Sequence, residues 1–189
     1  KLRNGGEACT AANRIYVQAG VASEFTQRLA ERVGQVRVGP GITDGTQLGP
    51  VIDAEARDRI DGLVTDAVAA GGRVLAGGHP IEGPGYFYAA TVLADVPTDA
   101  RVMTEEIFGP VAPVATFTTE DEAVAAANST PFGLISYVFT KELSRALRLS
   151  ERIETGMLAV NSGVISNPAA PFGGVKQSGL GREGSAEGI

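Results

Sequence analysis

Short apolar runs alternate along this chain with segments whose apolar residues recur every three or four positions. Residues 13–18 (NRIYVQ) read as a short strand. Ser23 then fits a helix N-cap, and Phe25, Leu29 and Val33 follow at a spacing of four, which gives one apolar helix face. Residues 39–50 form a turn-rich loop. Residues 53–70 are the clearest helix, with a stripe of Ile60, Leu63, Val64, Ala67 and Val68, ended by Gly71 and Gly72. Residues 73–76 read as a strand, 87–96 as extended chain and 111–117 as a second apolar strand. Thr119 and Glu122 make a capping box that opens a helix to about Asn128. A strand follows at 136–139. A helix over 141–153 is expected to bury Leu143, Ala146 and Leu147, and 157–160 is another buried strand. Beyond Asn161, Gly and Pro dominate and regular structure fades. Strands alternating with helices predict an α/β fold with a largely parallel sheet flanked by helices, in one domain over residues 1–189.

Composition narrows the function. The 189 residues are 43% hydrophobic and 20% charged, as expected of an ordinary globular domain with a real core. The net charge of −6 is spread along the chain, and no basic block points to nucleic acid or an anionic membrane. No apolar run reaches the roughly 18–20 residues that span a bilayer. A single cysteine forms no internal disulfide and fits a reducing compartment, so a cytoplasmic location is expected. A start at Lys1 and a stop just after a Gly-rich stretch suggest a piece of something longer.

Cys9 lies in Asn4-Gly5-Gly6-Glu7-Ala8-Cys9-Thr10-Ala11-Ala12-Asn13. Chemistry alone leaves two readings open. Free cysteine is usually a small buried hydrophobe. Here, though, two glycines allow close backbone approach and small residues leave room beside the sulfur. If a helix starts at Cys9, its free N–H groups favour a thiolate and any oxyanion formed there. Glu105-Glu106-Ile107-Phe108-Gly109-Pro110 reads by itself as an acidic turn leading into a buried strand. Arg3 alone is a surface charge, and Ser166 sits in an ordinary turn. Gly179-Leu180-Gly181-Arg182-Glu183-Gly184 matches the dinucleotide fingerprint, but no strand is expected before it and the chain ends too soon for the downstream acidic residue, so the match is set aside. His79 reads as a solvated loop residue, and no His/Cys/Asp cluster suggests a metal.

The cysteine segment resembles the catalytic motif of the aldehyde dehydrogenase superfamily. The lead-in Lys1-Leu2-Arg3-Asn4 is similar to its succinate-semialdehyde dehydrogenase branch. Glu105–Pro110 is similar to the family's second signature. Pro171-Phe172-Gly173-Gly174-Val175-Lys176-Gln177-Ser178-Gly179 is similar to its third. The three occur in family order, and the resemblance covers essentially the whole chain. It implies the aldehyde dehydrogenase catalytic-domain type of α/β fold and a thiolate nucleophile at Cys9. It also implies an oxyanion held by the Cys9 backbone N–H and a side-chain amide from elsewhere. NAD or NADP is the implied cofactor, with Glu106 accepting from the nicotinamide ribose hydroxyls and Phe108 packing beside the nicotinamide. In the semialdehyde branch an Arg at the Arg3 position and a Ser at the Ser166 position contact a substrate carboxylate. Phe172 is then an apolar wall of the substrate tunnel or a packing residue. The implied substrate is succinate semialdehyde or a related carboxylated semialdehyde, oxidised to the acid.

Two departures stand out. Glu7 takes a place where the family often has Gln, and a carboxylate facing the sulfur would slow attack. Ala11 stands where part of that branch carries a second cysteine, so a redox disulfide is not expected. The family's nucleotide-binding half, with its general base and oxyanion amide, normally precedes the cysteine, and a subunit-joining strand follows. The parent is therefore expected to be a dimer or tetramer, and this piece alone to turn over little. The competing reading is a non-catalytic α/β fragment or assembly module with an idle inherited site. Alkylation kinetics separate the two: a working Cys9 reacts with iodoacetamide faster than free cysteine near neutral pH, and an idle buried thiol reacts more slowly.

Overall fold

The computed structural model describes residues 1–188. Contacts group the chain into two compact units, Lys1–Thr118 and Thr119–Ile189.

The first unit is built on a four-stranded sheet. Its strands are β1 (Ile15–Gln18), β2 (Arg73–Ala76), β3 (Thr91–Ala94) and β4 (Val111–Phe117), in the order β1-β4-β3-β2. β4 runs parallel to both β1 and β3, while β2 closes the sheet antiparallel to β3. The sheet is therefore largely parallel, as its sequence pattern predicts. Strands covered on both faces need side chains that suit two cores, and so read as continuous apolar runs. β3 and residues 111–115 of β4 are buried throughout. Leu93, Val111 and Ala115 join one core; Val92 and Val114 join the other.

Helix α1 (Ala19–Gly34) supplies one core and α2 (Ala54–Ala69) the other. Asp53 caps α2 by accepting from the Ala56 amide at 2.8 Å, and Ile60, Leu63, Val64 and Ala67 fill its inward stripe. Val68, expected in that stripe, is exposed. The short helix α3 (Arg101–Thr104) contributes Val102 and Met103 to the same core. Tyr88 is buried there with its hydroxyl donating to Asp61 at 3.1 Å. Burial first, and Asp61 second, push that phenol far above its usual range.

In α1 the expected cap and face are corrected. The helix begins directly after β1, with Gln18 at the cap position and no side-chain cap bond, so Ser23 lies inside it. Its buried side is Thr26 and Val33, joined by partly buried Ala22, Leu29 and Ala30, and Phe25 faces outward. Thr26 can sit in the core because its hydroxyl donates to the Ala22 carbonyl at 2.6 Å, which leaves only its methyl group to pack.

The second unit holds α4 (Glu120–Asn128), α5 (Leu143–Arg152) and two small sheets. One sheet pairs β6 (Ile135–Val138) parallel to β7 (Met157–Val160). The other pairs β5 (Phe132–Gly133) antiparallel to β8 (Val175–Lys176). The predicted capping box opens α4, with Thr119 and Glu122 exchanging both bonds. In α5 the inward residues are Ala146 and Leu149, whereas Leu143 and Leu147, expected inside, are exposed. The rotation has an electrostatic counterpart. Arg145, Arg148 and Arg152 of α5 all approach Glu120 in the first turn of α4. The Arg148 hydrogen bond, with Arg145 beside it, holds the Glu120 carboxyl down at about 2.

The two cores make different demands of their helices. Ile60→Ala should lower unfolding stability by about 3 kcal/mol, the usual cost of emptying a closed core site. Leu147→Ala should change it by less than about 0.5 kcal/mol, as for most surface substitutions. Equilibrium urea denaturation of the two variants checks both.

Candidate active site

The Cys9 segment is shaped by three successive residues in left-handed backbone. Asn4, Gly5 and Gly6 have φ of 49°, 69° and 78° inside a short 3-10 turn, Arg3–Gly6. Asn tolerates this conformation better than most residues with a side chain, and Gly carries no penalty. The Asn4 amide nitrogen donates to the Glu7 carbonyl, and the Glu7 N–H donates to the Asn4 carbonyl, both at 2.9 Å. The chain then turns again through Ala8–Ala11, closed by a 2.8 Å bond from the Ala11 N–H to the Ala8 carbonyl. Cys9 lies in this turn and is exposed. No helix starts at Cys9, so any backbone help to the sulfur comes from turn amides rather than a helix N-terminus. Glu7 does not hang free beside the sulfur, since its Oε1 accepts from the Ile52 backbone N–H at 3.3 Å, just ahead of α2.

Gly6 needs its lack of a side chain twice. Besides its positive φ, a Cβ there would fall on the Gly109 carbonyl oxygen and close to the Lys1 carbonyl. The loop carrying the cysteine therefore lies backbone to backbone against Glu105–Pro110.

Within that second loop Glu106 and Phe108 are both exposed, and Phe108 has φ +42°, an unusual state for a bulky residue. Ile107 between them is fully buried and anchors the loop in the core. Asn13, four residues after the cysteine, reaches across: its Nδ2 donates to the Glu105 carbonyl at 2.7 Å and its Oδ1 accepts from the Ile107 N–H at 2.8 Å. Arg59 of α2 donates to the Glu106 and Ile107 carbonyls, both at 2.9 Å. Glu105 turns away into an ion pair with Arg101, which also reaches Asp66. The Arg101 hydrogen bond holds the Glu105 carboxyl below its usual range. Burial lowers the Lys1 ammonium to about 8, and the Glu106 carboxylate opposes that shift.

The remaining sequence candidates are placed as follows. Arg3 opens the 3-10 turn ahead of the cysteine and is exposed. Ser166 and Phe172 belong to the second unit. Ser166 is exposed, next to a turn in which Asn167 Oδ1 accepts from the Ala169 N–H. Phe172 is half-buried and bridges Glu183 through two 2.7 Å backbone bonds. That bridge, with Arg182 donating to the Gly174 and Gly181 carbonyls, folds the glycine-rich segment after residue 179 back as a loop. No helix opens there of the kind a dinucleotide fingerprint requires. Lys176 in the third signature donates to the Asn128 and Thr130 carbonyls at the end of α4. His79 is exposed, with Nδ1 beside the Gly77 carbonyl. Among the described residues no helix is long and apolar enough to cross a membrane. Among the described residues no group of three or more His, Cys, Asp or Glu could hold a metal ion.

Sequence reasoning missed Asn13 and Arg59. Asn13 lies inside the cysteine motif, which was a signal of sorts. Arg59 has the pattern of any solvated charge on a helix.

The exposed carboxylate of Glu106 and the outward ring of Phe108 offer a hydroxyl acceptor and an apolar surface on one loop, which suits a ribose and a nicotinamide. Gly6→Ala should break the contact that sets this loop against the cysteine. It should cost at least about 2 kcal/mol in urea unfolding, as expected where a positive φ and a backbone clash coincide.

Comparisons with known proteins bear on the family. The family model described as the aldehyde dehydrogenase family matches residues 1–189. The chain is 57% identical over its full length to the succinate-semialdehyde dehydrogenase of Paenarthrobacter nicotinovorans and spans 42% of that protein. It is 46% identical, again over its full length, to the NADP(+) succinate-semialdehyde dehydrogenase of Escherichia coli, spanning 39% of it. The crystal structure of succinate-semialdehyde dehydrogenase from Burkholderia pseudomallei superposes with a TM-score of 0.97 at 43% identity, covering the whole chain and 39% of that structure. This chain thus spans about two-fifths of the length of these relatives. With a matched family model along its whole length and a nearly superposable fold, the chain belongs to the aldehyde dehydrogenase family.

Proposed function

We propose that this chain carries the nucleophile and part of the cofactor and substrate sites of an NAD(P)-dependent aldehyde dehydrogenase acting on succinate semialdehyde or a related carboxylated semialdehyde. The observation that carries the reading is the backbone apposition of the Cys9 segment and the Glu106–Phe108 loop, through Gly6 against Gly109 and through Asn13. A thiol nucleophile and a nicotinamide-binding loop have to be neighbours for this chemistry, and both lie in the first unit.

The Cys9 thiolate adds to the aldehyde carbon, and the carbonyl oxygen becomes an oxyanion. The Cys9 backbone N–H is the donor this chain offers to that oxygen. When bound, the nicotinamide supplies the acceptor for the hydride. Glu106 accepts from the ribose hydroxyls, and Phe108 gives the ring an apolar face. The acyl group is then held on Cys9 Sγ as a thioester, which water hydrolyses to the acid, freeing the thiolate. Arg3 donates to the far carboxylate of the substrate, where a planar guanidinium can make two charge-assisted bonds. Spanning about two-fifths of its relatives' length, the chain by itself is expected to turn over little.

The test is NAD(P)H production from succinate semialdehyde with each cofactor, by this chain, by the chain extended upstream to the length of its relatives, and by the extended chain with Cys9→Ser. Activity only in the extended wild type is the expected result. Parent-like rates from the short chain, or activity surviving Cys9→Ser, overturn it. In the extended enzyme Arg3→Ala should raise KM for succinate semialdehyde by about tenfold or more, the scale of a lost charge-assisted hydrogen bond. The same variant should leave butanal, which lacks the carboxylate, nearly unaffected.

A further inference from the structure

Between them, Asn13 and Arg59 hold the polar backbone groups of three successive peptide units around Glu106. Asn13 takes the Glu105 carbonyl and the Ile107 N–H; Arg59 takes the Glu106 and Ile107 carbonyls. The partners of Asn13 are one acceptor and one donor, so its amide has only one orientation that satisfies both. Arg59 spends its planar fork on two carbonyls of neighbouring residues, a geometry that a lysine does not reproduce.

The segment so held ends at Phe108, whose φ of +42° is unfavourable for an aromatic residue and persists only where its surroundings determine it. The far flank is tied down as well. The Gly109 carbonyl accepts from the Val111 N–H and the Pro110 carbonyl from the Thr91 N–H, both at 2.9 Å. On the near flank the Glu105 N–H donates to the Arg101 carbonyl at 2.8 Å, and the two side chains hold what lies between there and Phe108. One of them belongs to the cysteine segment and the other to α2.

We infer that Asn13 and Arg59 are positioning residues that together fix Glu106 and Phe108 in their cofactor-facing arrangement and couple that arrangement to the Cys9 segment. This rests on the reading of Glu106 and Phe108 as cofactor-binding residues. Neither Asn13 nor Arg59 needs to touch the cofactor or the aldehyde. Their effect is to remove the conformational freedom of a loop that otherwise has to be ordered each time a nicotinamide binds.

The experiment uses the enzyme extended to full length. Fluorescence titration with NADH and NADPH gives cofactor Kd for wild type, Asn13→Ala, Asn13→Asp, Arg59→Ala, Arg59→Lys, Glu106→Gln and Phe108→Ala. Hydrogen exchange follows the Ile107 amide, and iodoacetamide gives the Cys9 alkylation rate with and without cofactor. Asn13→Ala and Arg59→Ala should each raise Kd about tenfold, equivalent to ~1.4 kcal/mol, and Asn13→Ala should also lose protection at Ile107. Asn13→Asp keeps the acceptor for Ile107 and loses the donor to Glu105, so it should retain more protection than Asn13→Ala. Arg59→Lys should fall between wild type and Arg59→Ala. Cofactor should alter Cys9 alkylation less in these variants than in wild type.

A purely structural role would reduce the folded fraction and leave the Kd of the folded enzyme unchanged. If Asn13→Ala does not fold, Asn13→Asp and Arg59→Lys carry the same comparison. Weakening by Glu106→Gln and Phe108→Ala, with Kd within twofold of wild type in every Asn13 and Arg59 variant, overturns the inference and leaves the cofactor reading standing. Unchanged Kd in Glu106→Gln and Phe108→Ala removes the cofactor reading itself, and the inference falls with it.

Discussion

The backbone of Gly6 lying against the carbonyl of Gly109 is the constraint on which the site depends. It brings two loops that are distant in sequence close enough that no side chain fits between them. One loop carries the thiol, and the other carries a carboxylate and an aromatic ring. A methyl group at Gly6 would force them apart, and the positive φ there already disfavours any residue other than glycine. The rest of the first unit holds this contact in place. Ile107 plugs the second loop into the α2 core, Asn13 ties it to the cysteine segment, and Arg59 ties it to the helix.

The sheet explains why these loops meet. β1 leaves the cysteine segment and runs parallel to β4, which leaves the Glu105–Pro110 loop. Parallel neighbours enter the sheet from the same edge, so the segments that precede them emerge together there. β3 and β4 are covered on both faces, and their burial fixes the register that keeps the two loops level. Side chains on loops acquire reproducible positions when the strands that carry them cannot slip.

Polar groups near the site are sorted by their partners. Glu105 and Glu106 are adjacent and chemically identical. Glu105 is committed to Arg101 and through it to α2, while Glu106 is exposed and is held by its backbone. Glu7, two residues before Cys9, is similarly committed to the Ile52 amide. An acidic residue beside a thiol is compatible with a nucleophilic role when its oxygens are engaged elsewhere.

The sequence by itself determined much of this protein. Short apolar runs and a period of about 3.6 marked the main strands and helices, the Thr119–Glu122 box marked one helix start, and three motifs marked the family. These features are local, because each is written within a few neighbouring residues. Only the tertiary structure decided which stripe of α1 and of α5 faces inward, since Phe25, Leu143 and Leu147 are as apolar as the residues that displaced them. It also decided that Cys9 lies in a turn and not at a helix start, and that Asn13 and Arg59 meet the Glu106 loop. Those bonds join residues 47 to 94 positions apart through backbone groups that every residue possesses. A carbonyl or an N–H carries no mark in the sequence of which distant side chain will reach it, so the packing of the strands and helices had to bring the partners together first.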